Sequence, residues 1–363
     1  MVDLCDMTLR EGDQMPGRSY SVEQKVEAGM ALDRLGLTAM QAGFPVTGEK
    51  DRETIRRLVG RVDADVVALS RAIDGDVDAA LDAEADVVEV IIPTSQSHLD
   101  HVLGKSRAET IEMARDAVDR VRDGGATAHL ALVDGFRTDP ADLAATFEAF
   151  PDLPMITIAD TVGARTPDRV SGMLADLADR GVDHDRLGVH FHDDLGVATA
   201  NTLAAARAGA AKADVSVASL GERAGNAALE EVVVADAVDG DGAFDVDRAE
   251  LVPACLDVLE TLCESVEPRK PVLGSEVTEH EAGLHTAAML DDPATFEPFD
   301  PADFGGERTL VFGEGSGRGS ARKLLEREGV AVTDDTVAAL LDLLADRGPM
   351  DAEAAVSLAR DEL

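Results

Sequence analysis

Residues 188–217, GVHFHDDLGVATANTLAAARAGAAKADVSV, decide the fold. Gly188 to His192 is a short β-rich run, and Ala198 to Ala208, rich in alanine, favours helix. Ala213 to Val217 is a second β-rich run. A strand, a helix and a strand in that order form a crossover that returns the second strand parallel to the first. The same alternation extends back to the N-terminus. The candidate strands are Val2 to Asp6, Ala39 to Gly43, Asp65 to Leu69, Asp86 to Ile92, Thr127 to Leu132, Met155 to Ala159, Gly188 to His192 and Ala213 to Val217. Helical patterns such as Val22 to Leu35 and Arg107 to Arg122 lie between them. Eight βα units ending near Val238 predict an α/β chain closed into a (β/α)8 TIM barrel, because an open doubly wound sheet usually has fewer strands.

The 363 residues exceed the roughly 250 of such a barrel. The expected layout is a catalytic barrel over 1–240, a linker and lid-like subdomain over 241–319, and a small helical subdomain over 320–363. The Gly/Asp segment Asp239 to Asp245 marks the first boundary, followed by a helix from Arg248 to Ser265 and a Pro- and Gly-punctuated region from Pro268 to Gly319. The charged start of the chain, Met1 to Arg10, is unlike a signal peptide, and no apolar run approaches the roughly 18 residues of a membrane span. Cys5, Cys255 and Cys263 form no CxxC pair. A soluble, cytoplasmic protein is the expectation.

Formal charge is −39, from 72 acidic and 33 basic residues, which argues against nucleic acid as a partner. The acids are spread along the whole chain rather than gathered in a tail. At low salt they repel one another, whereas molar salt shortens the Debye length to about 3 Å, so the composition points to a halophilic, high-salt cytoplasm.

In such barrels chemistry sits at the C-terminal ends of the strands. Asp6-Met-Thr-Leu-Arg10-Glu11-Gly-Asp13-Gln14 follows the first strand, Asp160-Thr161-Val-Gly163 the sixth, His190-Phe-His192-Asp193-Asp194 ends the seventh, and Gly221-Glu222-Arg223-Ala-Gly225-Asn226 follows the eighth. His190 and His192, two apart on a strand, project from one face. Alone, the pair more often marks structural or surface histidines than ligands; with Glu11 from the first loop it would make a two-imidazole, one-carboxylate metal site with open positions. Arg10 beside it suits a carboxylate or a developing oxyanion, or else a salt bridge at the barrel end. Gly221 to Asn226 is either a plain strand-to-helix turn, with Asn226 as N-cap, or part of the mouth, with Glu222 and Asn226 facing it.

Together these motifs resemble the 2-isopropylmalate synthase, homocitrate synthase and citramalate synthase family. Asp6 to Gln14 is similar to the family's DTTLRDGEQ signature, His190 to Asn201 (HFHDDLGVATAN) to its HxHND motif, and Gly221 to Glu231 (GERAGNAALEE) to a third signature. The resemblance spans about Asp3 to Gly319. It implies Glu11, His190 and His192 as ligands of a divalent metal (Mg, Mn or Zn) with Asn226 close by. It further implies Arg10 as stabiliser of the reacting oxygens, and Gln14, Thr161 and Arg137 as binders of a 2-oxo acid. Glu279 to His285 (EHEAGLH) is similar to a segment whose last histidine, here His285, assists catalysis from a neighbouring subunit, so a homodimer is implied, with Glu222 and His285 as candidate bases.

The reaction so implied joins acetyl-CoA to a 2-oxo acid in amino-acid biosynthesis, without a leucine-type regulatory domain. The departures are Val133 where a pocket glutamate is usual, Gln41 for a glutamate after the second strand, Asp193 for the Asn of HxHND, and Glu314-Gly315 for a Lys-His pair. With no cation in view for a second carboxylate, 2-oxoisovalerate leads, with citramalate and homocitrate synthesis as alternatives. A carbon-carbon lyase or aldolase on the same barrel, or a non-catalytic paralogue, are the competing classes.

Overall fold

Eight strands hydrogen-bond in chain order, and the last pairs back on the first: β1 (Asp3–Asp6), β2 (Ala39–Gly43), β3 (Asp65–Arg71), β4 (Val87–Pro93), β5 (Thr127–Val133), β6 (Ile156–Asp160), β7 (Leu187–Phe191) and β8 (Lys212–Val215) close a parallel barrel. The expected TIM barrel is therefore present, with strand ends slightly displaced. One displacement matters, since β7 ends at Phe191 and leaves His192 just past the strand, where it bridges to Asn226. This computed structural model describes every residue except Asp241 and Glu328; Asp241, the first residue of the expected linker, lies outside the described residues.

Strands buried on both faces must be apolar almost throughout. Val66, Val88, Val90, Leu130, Leu132, Ile156, Ile158 and Val189 are all but inaccessible. Against that background Glu89 in β4 and Lys212 and Asp214 in β8 are conspicuous. The β3–β4 register sets Glu89 beside Leu69, the β4–β5 register sets it beside His129, and the β8–β1 register sets Asp214 beside Cys5.

The crossover helices start where their sequences say they should. Ser21 and Ser106 close capping boxes with Gln24 and Glu109, and Asp139 caps a helix that has Pro140 at its first position. The chain divides into two compact units, Met1–Val266 and Glu267–Leu363. The first extends past the eighth crossover helix because Leu251–Leu262 packs on Val22–Asp33. The second has a core of Phe312, Leu324, Leu325, Leu340, Leu344 and Ala355, drawn mainly from helices Arg318–Arg327, Asp334–Arg347 and Ala352–Glu362. It also holds a three-stranded sheet of Glu279–His280, Thr309–Phe312 and Met350–Asp351, which the sequence did not suggest. Two of those strands are only two residues long, too short for an alternation to register.

The loop after β8 is wound tightly. Ala218, Ser219 and Arg223 have φ of 51°, 61° and 56°, and Gly225 has φ of 87°. The Gly225 carbonyl accepts the Asp193 N–H at 2.7 Å, tying this loop to the end of β7. A Cβ on Gly225 would lie 1.7 Å from the Ser219 carbonyl oxygen. Gly225→Ala should therefore lower unfolding stability by about 3 kcal/mol or more. Gly104→Ala, at φ of +67° with nothing within 4 Å of the added carbon, should cost only about 1–2 kcal/mol. Urea midpoints of the two variants check this, and equal midpoints would refute the steric argument.

Candidate active site

The short helix Thr8–Glu11 is set by hydrogen bonds at its first turn. The Asp6 carboxylate accepts the Thr8 N–H at 2.8 Å and its hydroxyl at 2.9 Å, and the Thr8 oxygen in turn accepts the Val217 N–H at 2.9 Å. The loops after β1 and β8 are thereby fastened to each other. Burial, only partly relieved by the Thr8 hydrogen bonds, pushes the Asp6 carboxyl up to about 7. Asp13, further along the motif, accepts the Tyr20 N–H at 2.9 Å and pairs with Lys50 at 2.6 Å. The wholly buried Lys25 sits 3.7 Å from Asp13 and 2.7 Å from Asp51.

Glu11, His190 and His192 converge, all three buried, with potential ligand atoms within 4.8 Å of one another. Each has one side committed to the protein. His190 Nδ1 lies 3.2 Å from Asp214 Oδ2, His192 Nδ1 lies 3.4 Å from the Asp160 carbonyl, and Glu11 Oε1 accepts from Arg10. Three buried atoms of this group have no hydrogen-bond partner among the described residues: Glu11 Oε2, His192 Nε2 and Asn226 Oδ1. Buried polar atoms are nearly always satisfied, and imidazole nitrogen with carboxylate and amide oxygen is a donor set for a divalent cation, so the residues fit one. Their protonation suits it as well. Burial, followed by the neighbouring His190, pushes the His192 imidazole down to about 4. Burial alone would raise the Glu11 carboxyl, but Arg10 and the two histidines outweigh it and hold it low.

The sequence-derived residues separate into three groups. Arg10, Glu11, Gln14, Thr161, His190, His192 and Glu222 line one cavity of about 280 Å³ at the C-terminal ends of the strands. Asn226 is buried beside it; the helix it was a candidate to cap begins instead after Ala228, without a side-chain cap. Arg137 is held elsewhere, its Nε and Nη2 donating to Asp134 at 2.6 and 2.8 Å, and it is not among the cavity's walls. His285 belongs to the second unit, stacked on Phe296 with ring centroids 3.9 Å apart.

Sequence reasoning missed what lies beneath the cavity. Arg10 Nε donates to Gln41 Oε1 at 2.5 Å; Gln41 Nε2 donates to Glu89 Oε2 at 2.8 Å; Lys212 Nζ donates to Glu89 Oε1 at 3.0 Å and stands 3.0 Å from Asp214 Oδ1. Burial works against the charge of Lys212, but Asp214 and Glu89 more than offset it and push its pKa up. Burial likewise opposes the Glu89 charge, and Lys212 and His129 overcome that and hold the carboxyl low. The available signal was a lone acid in an otherwise aliphatic strand and a lysine in a lysine-poor chain, both at strand positions. The apolar wall, which includes Met7, Phe44, Leu69, Ile91 and Val133, was also largely missed, since these residues lie on five separate strands or loops.

Comparison with known proteins places this geometry. The HMGL-like family profile matches residues 1–254, and one described as homocitrate synthase post-HMGL domain-like matches residues 272–348. A protein of Methanopyrus kandleri named probable 2-isopropylmalate synthase is 40% identical over 340 residues, covering 92% of this chain and 67% of that one. A homocitrate synthase AksA of the same organism is 39% identical over 345 residues, covering 94% and 86%. Among solved structures, an HMG-CoA lyase of Bacillus subtilis superposes with a TM-score of 0.65 at 22% identity, over 73% of this chain and 95% of that one, a likeness of fold. With the family profile spanning the barrel and a post-HMGL region following it, the chain belongs to the HMGL-like family, alongside its 2-isopropylmalate and homocitrate synthases.

Proposed function

We propose that the chain condenses acetyl-CoA with a 2-oxo acid, and that the acid is 2-oxoisovalerate, as in a 2-isopropylmalate synthase. The observation that carries this reading is the cluster of ligand atoms without a hydrogen-bond partner among the described residues, Glu11 Oε2, His192 Nε2 and Asn226 Oδ1, bordering a cavity with apolar walls. A divalent ion held by Glu11, His190 and His192, with Asn226 close by, supplies Lewis acidity toward the substrate ketone. Arg10 lines the cavity, and among the described residues its Nη2 donates only to the Met7 sulfur, at 3.9 Å, which leaves donor capacity for a carboxylate or a new alkoxide. Gln14 and Thr161 orient the acid. A base removes a proton from the acetyl methyl, the resulting enolate carbon bonds to the ketone carbon, and the alkoxide so formed is protonated. Water then cleaves the thioester and releases CoA. Glu222 in the cavity wall is the base on this chain, with His285 contributed across a homodimer. An amine-based aldolase is disfavoured, because Lys212, paired with two carboxylates, stays protonated.

Removal of the metal should abolish turnover. Dialysis against EDTA followed by thiol-release assay is expected to reduce the rate at least 100-fold, with Mn2+ or Mg2+ restoring it and with Glu11→Gln insensitive to the addition. Full activity in metal-free protein would overturn the site.

Substrate choice follows from the walls. Met7, Phe44, Leu69, Ile91 and Val133 meet the side chain of the acid, Glu89 would repel a second carboxylate, and Arg137 is engaged by Asp134. An unpaired buried carboxylate costs several kcal/mol. The two carbons that distinguish 2-oxoisovalerate from pyruvate add about 1.6 kcal/mol of burial, or roughly tenfold. The expected order of kcat/KM is 2-oxoisovalerate, then pyruvate, then 2-oxoglutarate, with Val133→Glu narrowing the first gap. A tenfold preference for 2-oxoglutarate would sink the assignment.

High salt is the proposed setting, since a formal charge of −39 must be screened in the folded state. Between about 0.1 and 3 M KCl, as the Debye length falls from about 10 Å to under 3 Å, the melting temperature should rise. A flat response would remove the halophilic reading.

A further inference from the structure

Between two groups that the proposed chemistry uses, Arg10 and His190, the interior of the barrel holds a chain of hydrogen bonds and ion pairs whose middle members it does not use. It starts at Arg10, passes through Gln41 on β2, Glu89 on β4 and Lys212 on β8 to Asp214, and ends on His190. Gln41, Glu89, Lys212 and Asp214 are 0%, 2%, 5% and 2% exposed, so solvent cannot substitute for any missing partner. The direction of each bond is forced. Arginine and lysine can only donate and an ionised carboxylate can only accept, so the member between Arg10 and Glu89 must accept on one side and donate on the other. Among side chains of that length only an amide does both. A glutamate at position 41 would place two carboxylates 2.8 Å apart, where both cannot remain ionised.

We infer that Gln41, Glu89 and Lys212 are positioning residues, forming with Asp214 one charge-compensated relay that fixes the Arg10 guanidinium and the His190 ring in the orientations the site requires. At one end, Arg10 Nε is anchored to Gln41, which orients the other guanidinium nitrogens toward Glu11, Gln14 and the cavity. At the other, Asp214 takes His190 Nδ1 and leaves Nε2 as the ligating atom, while Lys212 holds Asp214 in place. The relay also explains the unusual amide after β2: the carboxylate sits on β4 instead, between an amide donor and an ammonium donor.

The polarity of this relay can be inverted without changing its shape or charge. In Gln41→Glu/Glu89→Gln the new glutamate accepts from Arg10 and from the new glutamine, whose oxygen accepts from Lys212 and from Thr157, as Glu89 Oε1 does now at 3.0 and 3.3 Å. The experiment compares the parent, Gln41→Glu, Glu89→Gln and the double variant, reading Mn2+ affinity by the electron paramagnetic resonance of free Mn2+, kcat and KM for thiol release, and melting temperature. Each single change should weaken Mn2+ binding about 10-fold to 100-fold and lower kcat more than it alters KM. The double variant should return both to within about fivefold of the parent.

Failure of Gln41→Glu to fold, alongside a folded and active double variant, would support the relay equally. Single variants indistinguishable from the parent overturn it. So does a double variant no better than the worse single, or one that does not fold, because every donor and acceptor is satisfied in the swapped arrangement. The relay rests on the condensation reading, yet the two fail separately. That reading is judged on turnover by the parent, and the relay on ratios among four proteins, with Mn2+ affinity available whatever substrate is used.

Discussion

A lysine ammonium buried inside a parallel barrel is the constraint from which the site follows. Lys212 occupies the interior with Glu89 and Asp214 each 3.0 Å away, contributed by β4 and β8. An isolated charge there would be strongly unfavourable, and removing any one member leaves another unpaired. The barrel interior is therefore locked to a particular register. Glu89 must face inward between Leu69 of β3 and His129 of β5, and Asp214 must lie opposite Cys5 of β1. Hydrophobic packing alone would tolerate many aliphatic choices in these strands; the ion cluster specifies one.

That rigidity is transmitted upward by short links. Asp214 reaches His190 on the adjacent strand, Thr8 accepts from Val217 across the β1–β8 seam, and Asp193 donates to the strained loop that ends in Gly225. Three stretches of chain distant in sequence, around Thr8, His190 to Asp193 and Asp214 to Gly225, thus meet with little freedom left in any of them. Positive φ at Ala218, Ser219 and Arg223 is the conformational cost of turning Asn226 inward beside His192.

The barrel was legible because its signal is distributed. Eight alternations cannot all be accidental, and an error of a residue or two in one strand leaves the count unchanged. Glu11, His190 and His192 were legible because ligand chemistry restricts residue type and because the strand period places His190 and His192 together. Arg137 shows the limit. The family resemblance implied a place among the binders of the acid, but Asp134, with φ of 60°, presents its carboxylate to Arg137 bidentately and draws it elsewhere. Gln41 was noticed only as a departure. Its meaning depends on Glu89, which lies 48 residues away and becomes its neighbour only through the barrel. Pairings of that kind arise from closure, and no local pattern encodes them.

Charge balance within the relay bears on the proposed substrate. Counted as ionised, Arg10 and Lys212 face Glu11, Glu89 and Asp214, two cations against three carboxylates, an arrangement that carries one negative charge in excess. A divalent cation together with a singly charged 2-oxo acid would complete that balance, whereas a dicarboxylate would leave one charge uncompensated among Met7, Phe44, Leu69 and Val133. The surplus of acid on the rest of the chain does not alter this. Exposed charges are screened by ions within a few ångströms at high salt, while the buried cluster is screened hardly at all. The charge of the exterior and the charge balance of the interior can therefore vary independently in one chain.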